Sequence, residues 1–193
     1  RAANFLRSKG GTNEKNSSGR QKELLKKLAK ENNYWIDDYK KLGEYIGKGM
    51  ESEVFLSPDG NSVYKANDLE FYDTPLSFLN TIDKHNELFP ESTYELIGFT
   101  KREDTRKLAF VLKQPFIQAE RGATEQEVVE ELEKRGFSSG VSNLVFTKGN
   151  IEVLDLHEGN VLVDKKGNLF FIDPVIFVEE FKESLSEPSV EDV

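Results

Sequence analysis

Asp155, Asn160 and Asp173 are the side chains whose types and spacing could do chemistry. Asp155 precedes Asn160 by five residues in Asp155-Leu156-His157-Glu158-Gly159-Asn160, and Asp173 follows thirteen residues after Asn160. Carboxylate and amide oxygens suit a hard cation, and Mg²⁺ prefers one or two carboxylates completed by waters and substrate phosphates. With Asn160 and Asp173 on the cation, Asp155 stays free as a base. An ordinary hairpin with solvated polar ends would also carry these residues, because Asp and Asn are common beside turns.

The element that must position them is a hairpin. Two apolar runs, residues 161–163 and 169–172, flank the turn Asp164-Lys165-Lys166-Gly167-Asn168, with β-branched and aromatic residues on either side of a Gly/Asn turn. Its open end would bring Asn160 and Asp173 together, with Asp155 on the loop leading in.

A second constellation lies earlier. Gly47-Lys48-Gly49 runs into Ser52-Glu53-Val54-Phe55-Leu56, and after the turn at Pro58-Asp59-Gly60-Asn61 the chain returns as Ser62-Val63-Tyr64-Lys65. A glycine pair on a strand-turn-strand lets backbone amides approach phosphate oxygens with no side chain in the way. Lys65 falls on the returning strand. A Gly-x-Gly before a strand is by itself more often only a turn.

Together these motifs resemble the protein-kinase-like superfamily. Gly47, Gly49 and Val54 fit its glycine loop, Lys65 its phosphate-gripping lysine, and Asp155, Asn160 and Asp173 both of its catalytic intervals. His85-Asn86-x-Leu88-Phe89-Pro90, Tyr94, Gly98-Phe99 and Gln114-Pro115-Phe116 are similar to kinase domains in polyvalent proteins of phages and mobile elements, over about residues 34–178. The wording Asp-Leu-His-Glu-Gly-Asn also resembles aminoglycoside-type phosphotransferases. The resemblance implies ATP and Mg²⁺ as cofactors. Gly47 and Gly49 would cover the phosphates and Lys65 grip them. Asp155 would take the proton of the attacking hydroxyl, while Asn160 and Asp173 hold the metal. Val54 and Leu162 would sandwich the adenine, and the hinge around Gln114 and Phe116 would read its edge.

The implied fold is α+β and kinase-like: an antiparallel five-stranded N-lobe with a helix, then a small truncated C-lobe. Residues 73–89 read as its helix, capped by Thr74 with Pro75 in the first turn. Asp83, Asn86 and Glu87 are the candidates to face Lys65. Residues 94–100 and 107–117 read as strands joined by a charged turn, and residues 124–135 as a helix with a capping box from Thr124 and Glu127. Residues 143–146 read as a short strand or loop. The expected divisions are a flexible segment over 1–21, an N-lobe opening with a brace helix over 22–112, hinge and reduced C-lobe over 113–178, and an acidic disordered tail over 179–193.

Composition narrows the partners. A net charge of −9 argues against broad binding to a nucleic-acid backbone. With no Cys there is no disulfide framework and no thiolate metal site. No run reaches the ~20 apolar residues that span a bilayer, and a cytoplasmic location is expected. Because the chain opens with Arg1 and a polar, glycine-rich stretch, it is expected to belong to a larger polypeptide.

Four departures from the superfamily pattern bear on function. Val153 and Leu154 stand where protein kinases have His and Arg, and Pro174 and Val175 replace the Phe and Gly after the metal Asp. Ser52 stands for the third loop glycine, and no activation segment is expected after Asp173. None of these removes a phosphate-handling group. The first expectation is therefore an ATP- and Mg²⁺-dependent phosphotransferase acting on an unidentified protein or small-molecule hydroxyl. The alternatives are a pseudokinase serving as a nucleotide-binding or interaction module, and a structural α+β domain.

Overall fold

Alternation of apolar residues builds the central feature, a five-stranded antiparallel sheet. Its strands are β1 (Glu44–Lys48), β2 (Ser52–Leu56), β3 (Ser62–Asn67), β4 (Glu95–Lys101) and β5 (Leu108–Pro115), in spatial order β1-β2-β3-β5-β4. The structure is a computed structural model and describes residues 1–49, 51–140 and 145–178. Strand β5 is covered on both faces. Leu108, Phe110 and Leu112 enter a core with the helices, while Val111 points the other way to Tyr39, Phe55 and Ala66.

Helix α3 (Pro75–Leu88) lies over the sheet. Thr74 and Ser77 form its capping box, Pro75 occupies the first turn, and Leu76, Phe78, Leu79, Ile82 and His85 face inward. Phe110 meets Phe78 and Phe99 edge-on at 5.1 and 4.9 Å between ring centres, the geometry favoured by aromatic quadrupoles.

The N-terminal segment corrects one expectation. Residues 1–21 are not a loose tether but form α1 (Ala2–Ser8) and the start of α2 (Ser18–Glu31). Ala2, Ala3 and Leu6 are buried against the same core as Leu25, Leu79 and Ile82. The polar stretch between the helices is satisfied locally. Gln21, itself buried, donates from Nε2 to Thr12 O (2.6 Å) and Ser17 Oγ (2.7 Å) and accepts the Leu76 N–H at 2.9 Å. That last bond serves one of the free amides that every helix start leaves. Polar composition disguised a packed segment because its hydrogen bonds are made inside the protein.

The C-terminal half is mostly short strands: β6 (Ala119–Gly122), β7 (Ser138–Ser139), β8 (Val145–Lys148), β9 (Ile151–Leu154), β10 (Val161–Asp164), β11 (Leu169–Phe171) and β12 (Val175–Val178). They make a three-stranded sheet, β11-β10-β6, and a four-stranded sheet, β12-β9-β8-β7. Helix α4 (Glu125–Lys134) starts with the expected box between Thr124 and Glu127. Leu132, Phe146, Val153, Val161 and Phe171 fill this half's core, and Phe89 at the end of α3 stacks on Phe171 at 4.5 Å. The expected β10–β11 hairpin forms: Asp164 accepts from the amides of Lys166 and Asn168, and Gly167 takes φ +83°. The expected acidic tail and the Asn143 end of the expected short strand lie outside the described residues.

Candidate active site

Lys65 sits on β3, between Val54 of β2 and Leu112 of β5. Being central in the sheet, its ammonium projects from a rigid base. Nζ donates to Tyr94 Oη (3.1 Å) and Ile172 O (3.2 Å) and lies 3.2 Å from Asp173 Oδ1. Three donors converge on the Ile172 carbonyl: Lys65, Gln114 Nε2 at 3.0 Å and Tyr94 Oη at 2.5 Å. A carbonyl offers two lone pairs, and the Tyr94 hydroxyl also reaches Asp173 Oδ1 at 3.0 Å. Burial, then the neighbouring Asp173 charge, push the Tyr94 phenol well above its ordinary range. It therefore stays protonated and donating at any working pH.

The second cluster forms on the loop between β9 and β10. Asn160 Nδ2 donates to Asp155 O at 2.8 Å and Asp155 Oδ2 at 3.0 Å. Asp155 has φ +60°, a left-handed conformation that Asp and Asn tolerate better than most residues. Gly122 permits the loop to close on β6, since a Cβ there would lie 2.4 Å from Glu158 O. The two clusters join through the backbone, where Ile172 N–H donates to Asn160 O at 2.9 Å. Lys65–Asp173 and Asp155–Asn160 are thus two side-chain pairs linked through the Ile172 backbone.

The model of the family described as serine/threonine/tyrosine kinases found in polyvalent proteins matches residues 18–180. The chain belongs to that family. No curated protein and no solved structure matches it. The family match gives no support to the aminoglycoside-type likeness.

The rest of this kinase domain's expected site is distributed as follows. Gly47 lies on β1 opposite Val54, and an added Cβ there would meet no protein atom within 4 Å. Gly49 N–H closes the loop onto Ser52 O at 2.9 Å. Val54 on β2 and Leu162 on β10 are half-buried. At the expected hinge, Gln114 is only 1% exposed, and its side chain donates to Ser92 O and Ile172 O. The Gln114 side chain thus ties β5 to the Asp173 segment. The Phe116 N–H is likewise used within the protein, donating to Asn61 O at 3.0 Å.

None of the three residues expected to face Lys65 does so. Asp83 and Glu87 are exposed, with Glu87 paired to Lys84. Asn86 is locked to the backbone of Tyr94, donating to its O at 2.8 Å and accepting from its N–H at 2.7 Å. Toward Lys65, α3 presents Thr81, Ile82 and His85.

Sequence reasoning missed Arg102. It is 1% exposed, forks onto Asp104 (3.0 and 2.6 Å), lies 3.4 Å from Asp68 and donates to Glu51 O at 2.8 Å. Lys48 reaches the same Asp104 at 2.7 Å. The turn between β4 and β5 therefore grips the glycine loop at two points. Arg102 lies in a run of eight charged or polar residues, 100–107, where nothing separates a buried cation from solvated ones.

The donor chemistry fits a magnesium nucleotide. Among the described residues no group of three or more His, Cys, Asp or Glu could hold a metal unaided. Asp173, 57% exposed, and Asn160, whose backbone oxygen accepts from Ile172 N–H, are of the oxygen-ligand type that Mg²⁺ completes with waters and phosphates. Among the described residues no helix is long and apolar enough to cross a membrane.

Proposed function

We propose that this kinase domain transfers the γ-phosphoryl group of ATP, as its Mg²⁺ complex, to a hydroxyl of a protein or small molecule. The observation that carries this reading is the joining of Lys65–Asp173 to Asp155–Asn160 through the Ile172 backbone. ATP would supply the phosphoryl group, and Mg²⁺ would neutralise charge developing on its oxygens. Lys65, anchored by Tyr94 and Ile172, orients the phosphates. Asp155 accepts the acceptor hydroxyl's proton as the new O–P bond forms and the bond to the ADP oxygen breaks. Asn160 restrains the Asp155 carboxylate and, with Asp173, supplies the metal's protein oxygens. Val54 and Leu162 flank the base, and Gly47 and Gly49 cover the phosphates. Catalysis of this type rests on positioning and electrostatic stabilisation.

The catalytically silent alternative draws on the acids of α3, which face away from Lys65. Calorimetric titration of ATP with and without Mg²⁺, followed by an assay for ADP production, separates the two. Metal-dependent binding with ADP release supports transfer. Binding without turnover points to a nucleotide-binding module, and no binding by a folded sample sinks both.

A further inference from the structure

We propose that Glu51, in the loop between β1 and β2, is the acid that positions Lys65, the part that no acid of α3 takes. This rests on the phosphotransfer reading for its purpose, though not for its geometry. The Glu51 carbonyl is held from two sides, by the Asp68 N–H at 3.1 Å and Arg102 Nη1 at 2.8 Å. With its backbone so fixed, the side chain turns inward. It lines a cavity of about 30 Å³ with Lys65, Asn67, His85, Tyr94 and Asp173. That is room for about one water. Glu51 Oε2 is buried there with no hydrogen-bond partner among the described residues.

A buried carboxylate oxygen without a partner is costly and calls for a cation or a donor. The charges acting on the Glu51 carboxyl are Asp173, Asp68 and Lys65. Lys65 is the cation that lines its cavity, while the Arg102 guanidinium is engaged by Asp104, Asp68 and the Glu51 carbonyl. Asn67 and Tyr72 complete its surroundings. Burial raises the Glu51 carboxyl above the usual range; a hydrogen bond with Asn67 opposes this, the Asp173 and Asp68 charges add to it, and Lys65 opposes it. In the present arrangement Lys65 pairs with Asp173. When Asp173 turns to a metal, Lys65 loses that partner, and Glu51 is the acid that shares its cavity. Lys65 is then aimed from the glycine-loop side rather than the helix side. Arg102 thereby becomes the residue that sets the position of Glu51.

The test is a pair of double-mutant cycles on the whole chain, with Glu51→Gln and Lys65→Met alone and combined. One cycle reads calorimetric Mg·ATP affinity, the other the urea midpoint in nucleotide-free protein. Glu51→Gln is expected to weaken Mg·ATP about tenfold in the wild type and by less than twofold in Lys65→Met, as coupled neighbours require. Glu51→Asp should recover part of the loss, and Asp83→Asn should leave affinity within twofold. Full additivity of the two substitutions in both cycles overturns the proposal. So does tighter binding by Glu51→Gln, which would make Glu51 a competitor of the phosphates. If the folded wild type binds no nucleotide, the phosphotransfer reading fails and the urea cycle alone decides. Non-additive midpoints then uphold the Glu51–Lys65 pair, and additive ones remove it.

Discussion

Lys65 Nζ and Asp173 Oδ1 lie 3.2 Å apart, yet the lysine side chain is 9% exposed and the aspartate 57%. The cation is built into the sheet and held by Tyr94 and Ile172, while its acid sits at the open end of the β10–β11 hairpin. An ion pair with one exposed partner contributes under about 1 kcal/mol to folding. Its value lies in placing a fixed positive charge beside an accessible carboxylate. Asp173→Asn should accordingly shift the urea midpoint little but abolish the gain in ATP affinity that Mg²⁺ confers. Calorimetry in Mg²⁺ and in EDTA checks both halves, and an undiminished Mg²⁺ effect would remove Asp173 from the metal site.

Asp155→Asn is the informative change at the candidate base. Asn tolerates the left-handed backbone at this position, where φ is +60°, so the loop should persist. Removal of the base should lower ADP production by about 10²- to 10⁴-fold, with ATP affinity held within about threefold. Wild-type turnover in this variant would show that Asp155 is not the base.

Gly47 has open space where a Cβ would go. Gly47→Ala should therefore fold with a stability change below about 1 kcal/mol, while ATP binding weakens because the methyl group stands where phosphates would approach. Unchanged affinity in a titration would place the phosphates elsewhere.

Arg102→Met would strand Asp68, a residue 2% exposed with one carboxylate oxygen already lacking a partner among the described residues. Breaking a buried pair from one side costs about 3–5 kcal/mol, and the glycine loop loses its Glu51 anchor as well. The surface change Lys107→Met, at an exposed pair with Glu70, should cost under about 1 kcal/mol. Urea unfolding of the two variants tests the contrast; equal losses would mean the Arg102 network has no special weight.

His85 donates from Nε2 to Phe171 O at 3.1 Å, and its buried Nδ1 has no partner among the described residues. Burial depresses its pKa below the ordinary 6.5. The unfolded chain therefore takes up a proton first as pH falls, and folding stability declines from about pH 6.5 down to the folded-state pKa. His85→Gln should remove that part of the slope. Urea midpoints at pH 7.5 and 5.5 check it: an identical pH difference in wild type and variant would mean that His85 contributes nothing to it.

Elements with a local code were legible in the sequence. Pro75 after Thr74, the Thr124–Glu127 box, the Gly167 turn and the apolar runs of β5 and β10 act within a few residues. The Asp155–Asn160–Asp173 intervals were legible too, because a hairpin's register converts spacing directly into proximity. The β10–β11 hairpin could be read from these signals alone; the kinase family was legible as a resemblance that also drew on Gly47, Gly49, Lys65 and the Gln114-Pro115-Phe116 stretch.

Tertiary structure decided what depends on long-range burial. Arg102 and Glu51 look like surface charges in sequence, and only the fold of the β4–β5 turn onto the glycine loop buries the Arg102 side chain and the Glu51 Oε2 atom. Residues 1–21 look like a tether until Gln21 is seen capping α3. Asp83, Asn86 and Glu87 lie on the right helix, but its rotation is set by Phe78, Leu79 and Ile82 packing on the sheet. Chemistry-bearing residue types are written in the chain. Which way a helix turns them is an outcome of side-chain packing between distant elements, which no local pattern encodes.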